Sequence, residues 1–303
     1  MLSNKEIICP DNLLDVAHKK KIVKAAIVNA GKPLPMISVQ DAVNEDLIEP
    51  VFIGDEKEII KCAEDLKWDI SNYEIINEPI ENNTAAIATK LASKKEVRII
   101  VKGHIHTDIL MKEVLKREYN LLGKTRLSHI WHMTLNKDDN PLIITDGALN
   151  VSPNVKTKMH ILRNVVDFSH RIGIDKPKVS VLSATEEVLE SVQSSLDAKQ
   201  ITELSKKENL NADVFGPLAF DNSISKKSAE IKGIKNMVAG DADVLLVPNV
   251  ETGNALVKIM VYFMGACAAG VVVGGKVPVV ITSRSDVATA RLASIAAAIV
   301  ALD

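Results

Sequence analysis

One short stretch near the carboxyl end of the chain, TSRSD (282–286), combines a guanidinium, hydroxyls and a carboxylate. It follows the apolar run VPVVIT and precedes the Ala-rich run DVATARLASIAAAIVAL, so a strand should lead into it and a helix out of it. A helix N-terminus carries partial positive charge and free amides, and Arg284 beside it favours an anion held between them. The stretch is therefore a candidate anion site. The alternative is that Ser283 or Ser285 only caps the helix, with Asp286 near its first turn.

Three other polar loops also stand between an apolar run and a helix-like pattern. They are GHIHT (103–107), DG (146–147) and NVETGN (249–254). In parallel sheets, ligands bind where strands end and loops lead into helices, so these loops are further places to expect a site. The histidine pairs His104/His106 and His129/His132 do not by their spacing define a metal site, and we expect no metal.

The elements that would position these loops alternate along the whole chain. Strands are predicted over residues 24–30, 49–54, 97–103, 141–147, 178–184, 243–250 and 275–283, and helices over 56–66, 106–118, 186–196, 253–264 and 286–302. Continuous apolar strands alternating with helices are typical of an α/β fold with mostly parallel sheets and flanking helices. At 303 residues, the chain has the length of about two domains.

Composition excludes several classes of protein. A formal net charge of -2 argues against a general nucleic-acid binder. The apolar run 259–275 is short for a membrane span and contains four glycines, so we expect a buried helix, a turn and a strand there. The N-terminus lacks the apolar region of a secretory signal, and three scattered cysteines suit a reducing compartment, so a cytoplasmic location is expected. No GxGxxG dinucleotide fingerprint is present.

Seven segments in order resemble the phosphate acetyltransferase and phosphate butyryltransferase family, over at least residues 100–300. They are IVKGHIHTDILM, RLSHIWHM, PLIITDGALNVSPNVKTK, GIDKPKVSVLSATEEV, GPLAFDNSIS, IKGIKNMVAGDADVLLVPNVETGNALVK and VPVVITSRSDVATARLASIA.

The resemblance implies a fold, an assembly and a reaction. The fold would have two α/β domains resembling isocitrate dehydrogenase, one of residues 1–146 plus 265–303 and one of residues 147–264, with the active-site cleft between them. The reaction would be acyl-CoA plus inorganic phosphate giving acyl phosphate and free coenzyme A. Homodimers are implied, as are coenzyme A as a substrate and no permanently bound cofactor.

The resemblance also implies roles for particular residues. Arg284 would hold the phosphate and stabilise developing charge, Ser283 would position the thiol or the carbonyl, and Asp286 would take the thiol proton. The spacing of Asp286 matches butyryl-type members, whereas acetyl-type members place their carboxylate later. Positions in family-like loops that would contact substrate are Lys102, Thr107, Ser128, His129, Gly253 and Asn254.

Other functions stay open from the sequence alone. Acetyl is the expected acyl group, with butyryl as the alternative under the same mechanism. From other classes, an NAD(P)- and metal-dependent dehydrogenase of similar fold and a non-catalytic protein that binds coenzyme A are the alternatives. The acyl length and the physiological direction of the reaction are not encoded in any motif.

Overall fold

The alternation of strands and helices expected from the sequence is present in a computed structural model, which describes residues 2–136, 138–283 and 286–302. The strands are β1 (Val23–Val28), β2 (Ile48–Gly54), β3 (Glu74–Asn77), β4 (Ile99–Lys102), β5 (Ser128–Thr134), β6 (Leu142–Thr145), β7 (Lys178–Leu182), β8 (Asp213–Leu218), β9 (Val244–Leu246), β10 (Cys267–Val273) and β11 (Val279–Val280). The helices are α1 (Asp11–His18), α2 (Pro33–Asn44), α3 (Glu56–Asp65), α4 (Glu81–Ser93), α5 (Thr107–Val114), α6 (Val155–Arg171), α7 (Gln193–Ser205), α8 (Phe220–Ile224), α9 (Lys226–Ile231), α10 (Val250–Met264) and α11 (Ala288–Val300).

The chain divides into two compact units. The outer unit, which takes most of the chain's two ends, comprises Glu6–Lys124, Asn136–Asp138 and Cys267–Asp303, and the middle unit comprises Met1–Lys5, Thr125–Leu135 and Asp139–Ala266. Residues 125–135 and 139–146, assigned from the sequence to the first domain, lie in the middle unit because β5 pairs with β6 and β6 pairs with β9. The second transition lies at Ala266–Cys267, close to the predicted position at 265.

The outer unit is built on the strand order β3-β2-β1-β4-β11-β10. Its neighbouring strands are parallel except for the pair β10–β11. The register pairs Val28 with Lys102 and Val280 with Val101, so the chain leaves β1, β4 and β11 at one edge. That edge holds Asn29, the loop after β4 and the loop after β11. β4 is buried over its whole length, as expected for a strand covered on both faces.

The middle unit is built on the strand order β5-β6-β9-β7-β8. β5 and β6 are antiparallel, and the other pairs are parallel. Thr145 pairs with Leu246 and Val181 pairs with the same residue, so β6, β9 and β7 also end at a common edge. The chain that leaves this edge forms the starts of α6 and α10, each capped by an asparagine side chain, Asn154 and Asn249.

Several elements differ from the prediction. The helix expected over 186–196 begins at Gln193, because Glu186 is held by Asn222 and Lys232 from elsewhere in the unit. The strand expected over 275–283 forms a ladder only at Val279–Val280. β3, β5 and β8 were not predicted as strands.

The apolar run 259–275 has the predicted helix, turn and strand. α10 ends at Gly265, whose φ of 69° is in the left-handed region that glycine adopts without a steric cost, and β10 follows. Within the described residues, no helix combines the length and apolar character that a membrane crossing requires.

Candidate active site

The loop between β11 and α11 closes on itself through Ser283 and Asp286. The backbone N–H of Ser283 donates to Oδ2 of Asp286 at 2.6 Å, and the backbone N–H of Asp286 donates to the carbonyl of Ser283 at 3.2 Å. Ser283 is exposed and Asp286 is half-buried. Arg284 and Ser285, the two residues between them, lie outside the described residues. The loop therefore presents a serine side chain beside a fixed carboxylate.

The predicted capping of α11 by Ser283 is wrong. α11 begins at Ala288, and its N-cap residue is Val287, which offers no side-chain hydrogen bond. Asp286 lies before the helix, and its carboxylate accepts a hydrogen bond from the backbone N–H of Ser283 in the loop. This local hydrogen bond takes the place of a cap on the helix. The Asp286 carboxylate thus serves the loop rather than the end of the helix.

Two buried cations contact the backbone of this loop. Nζ of Lys102, at the end of β4, donates to the carbonyl of Thr282 at 3.3 Å. The guanidinium of Arg291, on α11, donates from Nη2 to the carbonyl of Ser283 at 2.7 Å and from Nε to the carbonyl of Asp286 at 3.1 Å. The predicted site residue Lys102 is therefore placed next to the loop, and Arg291 is a neighbour that the sequence analysis did not identify.

Burial and charge act together around Asp286. Burial lowers the pKa of Arg291, and the Asp286 charge opposes that shift. Burial, together with the smaller effect of the Asp286 charge, raises the pKa of the Cys267 thiol to about 12. Cys267 is therefore a protonated, buried side chain in β10, a state typical of a packing residue rather than a nucleophile.

Thr107 lies on the same edge of the outer unit, at the first position of α5, with its side chain exposed. The loop before it is fixed by close backbone contacts. A Cβ on Gly103 would lie 2.4 Å from the carbonyl oxygen of Val28, so only glycine fits there. Nδ2 of Asn29 donates to the carbonyl of His104 at 2.6 Å, which joins this loop to the end of β1.

Ser128 and His129 begin β5 in the middle unit and are fully buried. Oγ of Ser128 accepts from Nδ2 of Asn164 at 2.8 Å, and the ring of His129 lies 4.3 Å from the ring of Trp131 between centroids. Their side chains are thus held inside the unit rather than displayed on its surface.

Asp146, directly after β6, organises the polar loop of the middle unit. Its buried carboxylate accepts from the backbone N–H of His129, Ala148, Leu149 and Asn150 and from the side chain of Asn150, at 2.7–3.3 Å. A carboxylate that accepts this many hydrogen bonds fixes both the start of β5 and the turn after β6. The sequence analysis noted the DG pair but gave Asp146 no role.

Gly253 and Asn254 lie in the first turns of α10, against the same loop. A Cβ on Gly253 would lie 2.6 Å from Cα of Gly147, and Nδ2 of Asn254 donates to the carbonyl of Gly147 at 3.5 Å. The two glycines let the helix start and the loop touch through their backbones.

A cavity of about 770 Å³ lies at the common edge of the middle unit, at the starts of α6, α7 and α10. Its wall includes Asn154, Lys156, Lys158 and Asn249. Lys158 is buried and forms an ion pair with Asp197 at 2.8 Å. The volume is within the range of small-ligand sites.

Metal ligands are not assembled in the described part of the chain. No group of three or more His, Cys, Asp or Glu side chains there is placed to hold a metal ion. His132, one of the paired histidines, is buried in β5, and burial lowers its pKa to about 4. It is therefore neutral at physiological pH.

These observations define an α/β protein with mostly parallel sheets whose strand-end loops carry ordered polar and charged groups. Comparison with known proteins makes the class specific, since residues 72–299 match the family model described as phosphate acetyl/butaryl transferase.

Individual relatives agree over most of their length. The chain is 39% identical over 285 residues to the phosphate acetyltransferase of Rickettsia typhi, covering 93% of this chain and 82% of the relative. It is 35% identical over 282 residues to the phosphate butyryltransferase of Clostridium acetobutylicum, covering 92% and 94%. A crystal structure of a branched-chain phosphotransacylase from Enterococcus faecalis V583 superposes with a TM-score of 0.81 at 29% identity, covering 92% and 98%. The chain belongs to the phosphate acetyl/butaryl transferase family, and the resemblance seen in the sequence is confirmed.

Proposed function

We propose that this protein is an acyltransferase that moves a short acyl group reversibly between coenzyme A and inorganic phosphate. The observation that carries the proposal is family membership over residues 72–299, a range that includes the whole Ser283–Asp286 loop. The position of that loop, at the edge where parallel strands end, supports it, because ligands of α/β proteins bind there. Both directions of the reaction use the same groups.

The chemistry requires a thiolate, an oxyanion and a leaving phosphate to be stabilised in turn. A free thiol has a pKa of about 8.5, so only a few per cent is ionised at neutral pH and a nearby carboxylate increases its reactivity. We assign proton removal to Asp286 and positioning of the thiol or the reacting carbonyl to Ser283. The hydrogen bond that holds the Asp286 carboxylate beside Ser283 supports this pairing.

Arg284 is assigned to the phosphate group by its place in the family-like Ser-Arg pair. As phosphate leaves, negative charge concentrates on its oxygens, and a guanidinium offers two parallel hydrogen bonds to them. A preorganised donor of this kind contributes about 3 to 4 kcal/mol to the transition state. In this mechanism no acyl group is transferred to the protein.

The substrate contacts are assigned to the remaining family-like positions. Lys102 and Thr107 are on the same strand-end edge as the Ser283 loop in the outer unit, and this placement supports a role beside the phosphate or the coenzyme. Ser128, His129, Gly253 and Asn254 are kept as substrate-binding positions. The buried hydrogen bond of Ser128 to Asn164 and the contact of Gly253 with Gly147 favour roles in shaping the binding surface.

The proposal extends to assembly, location and cofactors. We propose an isocitrate dehydrogenase-like pair of domains, a homodimer, a cytoplasmic location, no bound nucleic acid or membrane, and no permanently bound cofactor or metal. An exposed apolar surface on α10, formed by Ile259, Tyr262, Phe263 and Met264, supports the homodimer.

The direct test measures release of free coenzyme A from acetyl-CoA, propionyl-CoA and butyryl-CoA, with and without phosphate. We expect release that depends on phosphate and acyl phosphate formed in equal amount, with acetyl-CoA the best donor. Each methylene changes discrimination by about 1–3 kcal/mol, so a side-by-side comparison resolves the acyl length. Binding of coenzyme A without turnover of any donor contradicts the proposal.

A further inference from the structure

Arg291 is a buried cation in a helix that is otherwise apolar where it is buried. Its side chain is on the first turn of α11, and the residue is 4% exposed. The other buried residues of α11 are Ala, Leu, Ile, Val and one Ser. Burying a guanidinium carries a substantial desolvation cost, and an apolar residue would satisfy the packing of the helix without it. The reason for an arginine here must lie in what its side chain contacts.

Those contacts are the two ends of the Ser283–Asp286 loop. Nη2 donates to the carbonyl of Ser283 at 2.7 Å and Nε donates to the carbonyl of Asp286 at 3.1 Å. The planar guanidinium has its donors in a fixed geometry, so the two carbonyls it contacts are held at a fixed separation. Hydrogen bonds from a charged donor are about twice as strong as neutral ones, which suits Ser283 and Asp286, since both lie outside the helices and strands.

Lys102 contacts the same loop from a different element. Its Nζ donates to the carbonyl of Thr282 at 3.3 Å, one residue before the first carbonyl held by Arg291. The backbone of the loop therefore accepts hydrogen bonds from charged side chains on two elements, β4 and α11. The negative charge of Asp286 partly offsets the burial of the guanidinium, which is a second link between Arg291 and the predicted base.

We propose that Arg291 is a positioning residue, which holds the backbone of Ser283 and Asp286 in the arrangement used for acyl transfer without contacting substrate. The proposal rests on the proposed function for the reaction itself. Whether Arg291 holds the loop can be measured independently of that reaction. A displacement of about 1 Å in a catalytic group lowers turnover about 100-fold, so loss of this tether is expected to act on kcat.

The test compares Arg291→Ala and Arg291→Lys with Ser294→Ala, a matched control one turn further along α11. Oγ of Ser294 is buried and accepts from the N–H of Gly270 at 2.9 Å, so the control removes a buried hydrogen bond that does not involve the loop. We expect Arg291→Ala to lower kcat about 100-fold while the KM for acyl-CoA changes little, because the tether does not contact substrate. Arg291→Lys, which keeps the charge but has a single donor nitrogen in place of the planar guanidinium, should retain part of the activity. Ser294→Ala should keep kcat near wild type.

Two further measurements separate positioning from general destabilisation. Guanidinium ion added at low millimolar concentration should restore part of the kcat of Arg291→Ala and leave Ser294→Ala unchanged. Amide hydrogen exchange of residues 282–287 should be faster in Arg291→Ala than in Ser294→Ala. If the alanine variant fails to fold, Arg291→Lys is compared with Ser294→Ala in the same measurements.

The outcomes are distinct for the two proposals. Absence of phosphate-dependent release by the wild-type protein overturns the proposed function, and hydrogen exchange still decides whether Arg291 holds the loop. If exchange of residues 282–287 and kcat are the same in the Arg291 variants and in Ser294→Ala, Arg291 is a packing residue and the inference is wrong.

Discussion

At the scale of single residues, we propose different tasks for two arginines at the loop after β11. Arg291 contacts only backbone carbonyls in its described hydrogen bonds, whereas Arg284 is assigned to the phosphate by its place in the family-like Ser-Arg pair. In this proposal Arg291 fixes the geometry of the loop, and Arg284 stabilises the charge on the phosphate. Substitutions of the two should therefore differ in their effect on substrate binding.

The first prediction is that Arg284→Ala lowers turnover at least 100-fold and leaves the fold intact. The lost donor stabilises charge that develops as phosphate leaves, and a term of about 3 kcal/mol corresponds to a factor of this size. Steady-state kinetics with phosphate as the varied substrate should also show a raised KM for phosphate. Arg98→Ala, at an exposed arginine of the same unit, is the control. Near-normal turnover of Arg284→Ala means that another group stabilises the charge.

The second prediction concerns Asp286 as the base for the thiol. Asn at this position can still accept from the N–H of Ser283 but cannot remove a proton, so Asp286→Asn separates the hydrogen bond from the basicity. We expect kcat for coenzyme A plus acyl phosphate to fall about 100-fold. The residual rate should rise as the pH approaches about 8.5, because the thiolate then forms in solution. Asp65→Asn, at an exposed aspartate of the same unit, is the control, and an unchanged pH profile for Asp286→Asn contradicts the assignment.

The proposed site combines residues that the sequence suggests with others that only the structure reveals, and the difference has a physical reason. Ser283, Arg284 and Asp286 are close together in the chain, so the sequence alone is enough to group them. Arg291 and Asp146 act through hydrogen bonds to backbone groups. Every residue type has these backbone groups, so the sequence does not show which residues are the partners. The one available signal for Arg291 was a single cation in a long Ala-rich helix.

At the scale of elements, the strands that the sequence predicted are formed by local residue pattern, whereas a missed strand such as β5 depends on partners from other elements. β1, β2, β4 and β6 are rich in aliphatic residues, and each overlaps a strand predicted from the sequence. β5 reads SHIWHMT, and partners from other elements hold its first two residues, since Asn164 donates to Ser128 and the backbone N–H of His129 donates to Asp146. Tertiary partners of this kind override local propensity.

The third prediction concerns the contact between the start of α10 and the loop after β6. Gly to Ala inside a helix ordinarily stabilises by about 1 kcal/mol. At Gly253 the new Cβ would lie 2.6 Å from Cα of Gly147, so the backbone must move, and we expect Gly253→Ala to destabilise by about 1–3 kcal/mol. Urea unfolding measures the difference, with Lys258→Ala at an exposed position of α10 as the control. A higher unfolding midpoint for Gly253→Ala means that the loop gives way at no cost.

At the scale of the whole molecule, the second half of α10 exposes apolar side chains, and the packing of a single copy does not explain their exposure. Ile259, Tyr262 and Phe263 are three and four residues apart, so they share one face of the helix, and each is about half exposed. Met264, which follows Phe263 in the chain, lines a second cavity of about 530 Å³ together with Phe220 and Ile224. Exposed apolar groups that cluster in this way mark an interaction surface, whereas Ile231, exposed on α9, is outside the cluster.

The last prediction is that this surface joins two copies of the chain. Phe263→Lys places a charge at the centre of the cluster, where burial against a second copy would leave it without solvent. We expect light scattering after gel filtration to give the mass of a dimer for the wild-type chain and a mass that shifts toward the 32.9 kDa chain for Phe263→Lys as the protein is diluted. Ile231→Lys introduces the same charge at an exposed apolar residue outside α10 and should leave the mass unchanged. If Phe263→Lys has the wild-type mass at every concentration, α10 does not form the contact, and a monomeric wild type removes the homodimer from the proposed function while the chemistry of the Ser283–Asp286 loop stands.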